Sequence, residues 1–272
     1  MPDWLQVILL GIIEGITEFL PISSTGHLLL AEQLLGERSE CFTVFIQSGA
    51  VLAVMAVFKE RVRELATGWK QAETREYLVK MGVSFVITAV GGLSLKAAGW
   101  ELEDEPTAIA WALLVGGVLF IAIERHHATR PKEESSDALS LPQITWMLAV
   151  AFGLAQLVAM VFPGASRSGT TILIGMCLGM VRREAVEYSF LLGVPTLLAA
   201  GAYQLASAIK DDPGAVRAEA PMLLLGTVIS AVTAFAAVKW LLAYLQRNTF
   251  TAFGWYRIAL GAIILMYAMN SA

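Results

Sequence analysis

The chain has 272 residues, of which 57% are hydrophobic and only 15% charged, whereas a soluble domain carries about 25% charged residues. With a mean hydropathy of +0.66, this excludes a water-soluble globular enzyme and indicates an all-α polytopic membrane protein. The formal net charge of −4 sets no orientation, because topology follows where Lys and Arg fall rather than their total. Met-Pro-Asp-Trp at the N-terminus lacks a basic segment, and no Ala-x-Ala site follows the first apolar run, so no cleavable signal peptide is expected. Cys41 and Cys177 have no metal-ligand or C-x-x-C spacing and read as two unpaired core residues.

Residues 4–20 form an apolar helix interrupted by Glu14 and Glu18 and ended by Pro21. The apolar run resumes at 28–35, too short to cross a bilayer, and such a helix, polar break and short helix predicts a re-entrant hairpin. Full-length spans follow at 42–58, 78–98 and 106–124. The basic segment 59–77 reads as cytoplasmic, 100–106 (without Lys or Arg) as external, and 125–142 as a cytoplasmic linker between repeats at 1–124 and 143–272. The second half follows the same plan. Residues 143–162 are apolar around Gln156, Pro163 breaks the run, 170–181 is short and apolar, and spans follow at 187–209, 220–241 and 250–269. The segment 210–219 reads as an acidic loop.

An offset of 142 positions aligns Trp4 with Trp146, Gly11 with Gly153, Pro21 with Pro163 and Ser24 with Ser166, and sets Glu14 against Gln156. Each half is then one hairpin plus three spans. An odd number of crossings inverts the second half relative to the first and puts both termini outside.

Glu14 and Glu18, spaced i, i+4, share one helix face. Two carboxylates in low dielectric repel unless a cation or proton lies between them, so the pair calls for a hard divalent metal or an arginine, or is a structural hydrogen-bonded pair. Ser23, Ser24, Thr25 and His27 supply hydroxyls and an imidazole where a helix begins. That end suits an anion, and a serine beside a histidine is the minimum for an activated nucleophile. The second break adds Arg167 between Ser166 and Ser168. Its planar fork suits phosphate oxygens, and it is costly at membrane depth unless it binds a ligand or pairs with Glu14 or Glu18. This is no Walker loop, for G-x-x-x-x-G-K-[ST] is missing. Arg257, about two turns into the last span, either snorkels or pairs internally. Together these groups indicate a phosphate-handling site within a membrane, with a lipid phosphate as substrate.

Glu14-Gly-Ile-Thr-Glu18-Phe-Leu-Pro-Ile-Ser-Ser-Thr-Gly-His27 and Pro163-Gly-Ala-Ser-Arg-Ser-Gly-Thr-Thr171 resemble the two signatures of the undecaprenyl-diphosphate phosphatase (bacitracin-resistance) family. Phe45-Ile-Gln-Ser-Gly-Ala50, Tyr188-Ser-Phe-Leu-Leu192 with Pro195, and Tyr256-Arg257 also look like family segments. The resemblance spans essentially the whole chain. It implies hydrolysis of undecaprenyl diphosphate to the monophosphate and inorganic phosphate, which recycles the carrier lipid for peptidoglycan synthesis. It also implies a divalent cation (Mg or Ca), an inner-membrane location, an active site reached from the periplasm, and a fold of interlocked inverted repeats. Homodimers occur in that family, although nothing in this sequence shows one.

On this reading Arg167 clamps the terminal phosphate with Ser166 and Ser168, and Glu14 and Glu18 hold the metal. Ser24 is the nucleophile, with His27 or Glu18 handling its proton, unless water attacks directly. Ser23, Thr25, Thr171 and Gln47 are further substrate contacts. The main alternative is a polyprenyl-phosphate transporter or flippase of the same architecture. A type 2 phosphatidic-acid phosphatase is disfavoured, because Leu173 stands six residues after Arg167 where that motif needs His.

Overall fold

The structure, a computed structural model, describes residues 1–100, 105–128 and 141–271. Eleven helices account for these residues, and no strand occurs among them. Two short helices, α1 (Asp3–Thr17) and α2 (Ser24–Leu35), are followed by α3 (Glu40–Val57), α4 (Lys59–Thr67), α5 (Ala72–Ala97) and α6 (Pro106–Ala128). The second half comprises α7 (Trp146–Val161), α8 (Arg167–Cys177), α9 (Arg182–Asp211), α10 (Pro213–Tyr244) and α11 (Thr251–Ser271). Six helices, α3, α5, α6, α9, α10 and α11, are long and apolar enough to cross a bilayer. The remaining apolar helices are not: α1, α2, α7 and α8 have 15, 12, 16 and 11 residues. At about 1.5 Å per residue each falls short of the roughly 30 Å hydrocarbon core.

The surface is that of a multi-pass membrane protein. Every one of the seven tryptophans is exposed, as are Val79, Val86, Val90 and Leu93 along α5 and Leu224, Val228 and Val232 along α10. Water would penalise such faces, whereas lipid accepts them and the headgroup region favours indole rings.

Local sequence sets the helix ends. Pro21 stops α1 from continuing, and Gly36 closes α2 at φ 102°. Ser39 caps α3 by accepting from Phe42 N–H at 3.0 Å and also donates to Glu219. The expected loop at 210–219 contracts to Asp212, whose carboxylate accepts from Gly214 and Ala215 N–H groups, with Pro213 in the first turn of α10. The basic segment 59–77 holds a helix that hydrophobic length alone missed, the amphipathic α4. Arg61 ties α4 to α9 through Glu187 at 2.6 Å and also pairs with Glu64 at 2.5 Å. Burial lowers its pKa, but the two carboxylates outweigh this and leave it above the ordinary arginine value. Residues 101–104 and 129–140, which include most of the expected external loop and linker, lie outside the described residues.

The halves interlock: α1 packs on α10, α7 on α5, α3 on α9 and α6 on α11. Gly11 meets the Gly226 carbonyl and Gly153 meets that of Ser84. Both members of these pairs stand 142 positions apart, the offset that aligned the sequence. At the turns the offset becomes 143, because Ser23 and Ser166 are the matching caps of α2 and α8. Arg167 therefore matches Ser24 rather than Thr25.

Candidate active site

The turns between α1 and α2 and between α7 and α8 meet in the interior. Ser23 (φ 71°) and Ser166 (φ 70°) are the only non-glycine residues with positive φ among those described. Each such residue costs about 1–3 kcal/mol and persists only where surrounding contacts enforce it. Each serine Oγ accepts from the N–H three residues on, Gly26 at 3.3 Å and Gly169 at 3.1 Å. The turns are then cross-linked: Ser168 Oγ lies 3.3 Å from the Leu20 carbonyl and 3.4 Å from that of Glu18. Arg257 on α11, 0% exposed, reaches both. Its Nη1 donates to the Pro21 carbonyl at 3.3 Å, and its Nη2 to Gly164, Ala165 and Ala112 carbonyls at 3.0–3.3 Å. Gly116 leaves its guanidinium room, since a β-carbon there would overlap it.

The reactive groups lie at this junction. Glu18 is buried; Oε1 accepts from Arg167 Nη2 at 3.1 Å and Oε2 from Ser24 Oγ at 2.9 Å. Arg167 also reaches the Ser189 carbonyl at 3.5 Å and sits over the Phe19 ring at 5.2 Å. Gly193 makes its slot, because any β-carbon there would overlap the guanidinium. The first residues of α2 and α8 start here, so their leading N–H groups have no intrahelical acceptor and the positive ends of both helices face the same place. A hydroxyl directed at a carboxylate, an arginine fork and two helix N-termini form a constellation for transferring a phosphoryl group.

The other candidates fall into distinct places. His27 has no hydrogen bond to Ser24: its Nδ1 lies 2.7 Å from the Ser23 carbonyl and its Nε2 2.6 Å from the Tyr256 hydroxyl. Thr25 is exposed. Ser23, Ser168 and Thr171 are buried and engaged in holding the backbone, Thr171 also meeting Ser189 Oγ at 2.6 Å. Ser166 is half-buried and lies 3.2 Å from Ser168 Oγ. Gln47, on α3, has no hydrogen bond to this group of described residues. Sequence reasoning missed the parts played by Ser189 and Tyr256. Their only signal was a polar side chain within the apolar Tyr188–Leu192 and Tyr256-Arg257 segments.

Glu14 bears on the expected divalent cation. It is 0% exposed, and neither carboxylate oxygen has a hydrogen-bond partner. Such an orphaned acceptor beside Glu18 suits a hard cation. Among the described residues no three His, Cys, Asp or Glu side chains converge into an all-protein metal site. Magnesium typically needs only one or two carboxylates, the rest of its shell coming from phosphate oxygens and water. The residues present fit that arrangement, with Glu14 and Glu18 as the protein's share. A cavity of about 620 Å³ lies elsewhere, at the junction of α4 with the ends of α3, α9 and α10. It is lined by Phe58, Arg61, Glu187 and Leu245 and includes no residue of this site.

The Bacitracin resistance protein BacA family model matches residues 7–263. A relative from Rhizobium etli (strain CFN 42), called Undecaprenyl-diphosphatase, is 48% identical over 264 residues, covering 97% of this chain and 96% of the relative. Another of the same name, from Xanthomonas oryzae pv. oryzae (strain PXO99A), is 44% identical over 273 residues and covers both chains fully. The signatures that suggested a diphosphate phosphatase thus lie in a match running through all the helices that build the site. The chain belongs to the bacitracin resistance protein BacA family.

Proposed function

We propose that this protein is a bacterial inner-membrane phosphatase that hydrolyses undecaprenyl diphosphate to undecaprenyl phosphate and inorganic phosphate. It would thereby recycle the carrier lipid for peptidoglycan synthesis and confer bacitracin resistance. The observation that carries this reading is the chain of contacts from Ser24 Oγ to Glu18 to Arg167, set at two helix N-termini in a family whose relatives bear that enzyme's name. In this reading α1–α2 and α7–α8 are re-entrant hairpins of two inverted repeats. The site opens to the periplasm, and both termini are external. The short lengths of the four hairpin helices and the 142-residue correspondence between halves support that topology.

Arg167 leaves Glu18 Oε1 for the terminal phosphate, whose non-bridging oxygens its fork matches. The N-terminal amides of α2 and α8 stabilise the charge that develops there. Ser24 Oγ attacks the terminal phosphorus while its proton passes to Glu18. The Oγ–P bond forms, the P–O bond to the bridging oxygen breaks, and undecaprenyl phosphate departs with the electron pair. Water then hydrolyses the phosphoserine. A divalent cation held by Glu14 and Glu18 would supply charge neutralisation for the diphosphate.

Phosphate release from a defined prenyl diphosphate by purified protein, with and without chelator, tests the reading. Release that needs a divalent metal and falls at least about 100-fold in Ser24→Ala is expected. Near-normal turnover in Ser24→Ala would remove the covalent step. No release with any metal would remove the enzyme, leaving the transporter alternative.

A further inference from the structure

The histidine of the site has a partner that the mechanism above does not use. We infer that Tyr256 is a positioning residue for His27, and that the two form a proton-handling pair separate from the Ser24–Glu18 pair. This inference rests on the phosphatase reading.

A carbonyl oxygen only accepts, so the 2.7 Å contact of His27 Nδ1 with the Ser23 carbonyl assigns the ring hydrogen of the neutral imidazole to Nδ1. Nε2 is then the lone-pair nitrogen, and the Tyr256 hydroxyl 2.6 Å away must be donating to it. The two rings lie nearly parallel, with an interplanar angle of 3° and centroids 5.6 Å apart. The Ser23 carbonyl therefore fixes the tautomer, and the phenol, donating to Nε2, fixes the plane of the imidazole.

Tyr256 is held in register by its neighbour. Arg257 binds the carbonyls of Pro21, Gly164 and Ala165, so this turn of α11 is anchored to the same turns that carry Ser24 and Arg167. Lower on the interface, Leu260 and Ile264 of α11 pack with Ile109 and Leu113 of α6, against Leu29 and Leu30 of α2. Tyr256 itself is 45% exposed, placing the pair where the site meets its surroundings rather than in the packed core.

The geometry divides the protons of the reaction. Ser24 directs its hydrogen to Glu18, not to His27, which leaves Nε2 for the second step. There the attacking water takes the phenol hydrogen's place at Nε2, forms a bond to phosphorus and loses its proton to that nitrogen. The Ser24 Oγ–P bond breaks, and Oγ recovers the proton that Glu18 took in the first step. With Nε2 protonated, the contact with Tyr256 re-forms in reverse, the imidazolium donating and the phenol oxygen accepting.

The test compares wild type, Tyr256→Phe, His27→Ala and the double variant, with phosphate release as one readout and nitrogen NMR of ring-labelled histidine as the other. Phenylalanine retains the ring and removes only the donor. Expected is a fall in kcat of about tenfold, the equivalent of one hydrogen bond, with KM changed less than about twofold. In the His27→Ala background the same change costs little further, because the group it acts through is gone. Histidine resonances absent from His27→Ala identify His27 against His126 and His127, and Tyr256→Phe shifts the Nε2 signal. Equal losses in both backgrounds, or an Nε2 signal that stays put, overturn the inference. Failure of wild type to release phosphate overturns the phosphatase reading instead, and the NMR comparison still decides whether Tyr256 positions the ring.

Discussion

The turn at residues 18–23 and the turn at 162–166 end on the same backbone and carry opposite chemistry. Both end in a serine at φ near 70° that caps the following helix through a glycine N–H three residues on. At the first position of the helix one turn places Ser24 and the other Arg167. On the helix before it, one turn has the orphaned carboxylate of Glu14, and the other has Gln156, whose amide donates to Thr88 at 2.8 Å. The second turn thus carries a cation with no acid of its own, and Arg167 reaches across to Glu18 of the first. A shared backbone builds the cradle, and unequal side chains make its halves depend on each other.

That dependence is broken most severely at Arg167. Arg167→Ala removes the proposed phosphate clamp and leaves Glu18 buried without its counter-ion. Phosphate release is expected to fall by about 10²–10³-fold. Arg167→Lys recovers only part of this, since an ammonium keeps the charge but not the fork. Steady-state assays in detergent decide the point, and an alanine variant retaining more than a tenth of wild-type turnover would mean that the second turn does not hold substrate.

Much of this was legible in the sequence because charge at membrane depth is costly and therefore informative. Glu14, Glu18 and Arg167 stood out against apolar runs, and the six spans were placed to within a few residues at most ends. Pairing was harder to read. Arg167 was open to Glu14 or Glu18 as partner, and the choice depends on which carboxylate the interlocked helices bring to it. His27 sits three residues after Ser24, but its ring nitrogens bond the Ser23 carbonyl and Tyr256 while Ser24 bonds Glu18, so nearness in sequence did not become a hydrogen bond. Its partner came from 229 positions away. The helix α4 escaped notice because its apolar face covers a few residues of protein rather than a bilayer. The serines of the second break looked like phosphate ligands, whereas Ser168 is directed into the first turn, a role no local pattern announces.

The join between the turns is a second place to separate them. Arg257→Met keeps volume in the slot but leaves the carbonyls of Pro21, Gly164, Ala165 and Ala112 without this donor. Unsatisfied buried carbonyls cost about 1–3 kcal/mol each, so a loss of at least about 3 kcal/mol is expected. Thermal unfolding in one detergent measures it. Gly193→Ala acts more narrowly, moving Arg167 out of its slot without touching Arg257. Activity should drop about tenfold, the effect of a small misplacement of a clamping group, while the melting temperature moves by only a few degrees. If the melting temperature falls as far as in Arg257→Met, Gly193 serves packing and not the clamp.

The smallest effects probe whether the shared backbone is shared in energy. At Ser23 and Ser166, alanine removes the cap and keeps a side chain at positive φ, so each substitution should destabilise by about 1 kcal/mol. Glycine also removes the cap, yet adopts φ near 70° without strain, and should fall within a few tenths of a kcal/mol of wild type or above it. The order of alanine below glycine should hold at both turns with similar size, because the two serines match to within a degree in φ. Unfolding measurements on the four variants resolve this. Alanine equal to glycine at either turn would mean that neighbouring contacts, rather than the serine, hold that conformation. The likeness of the two turns would then be one of shape without a common cause.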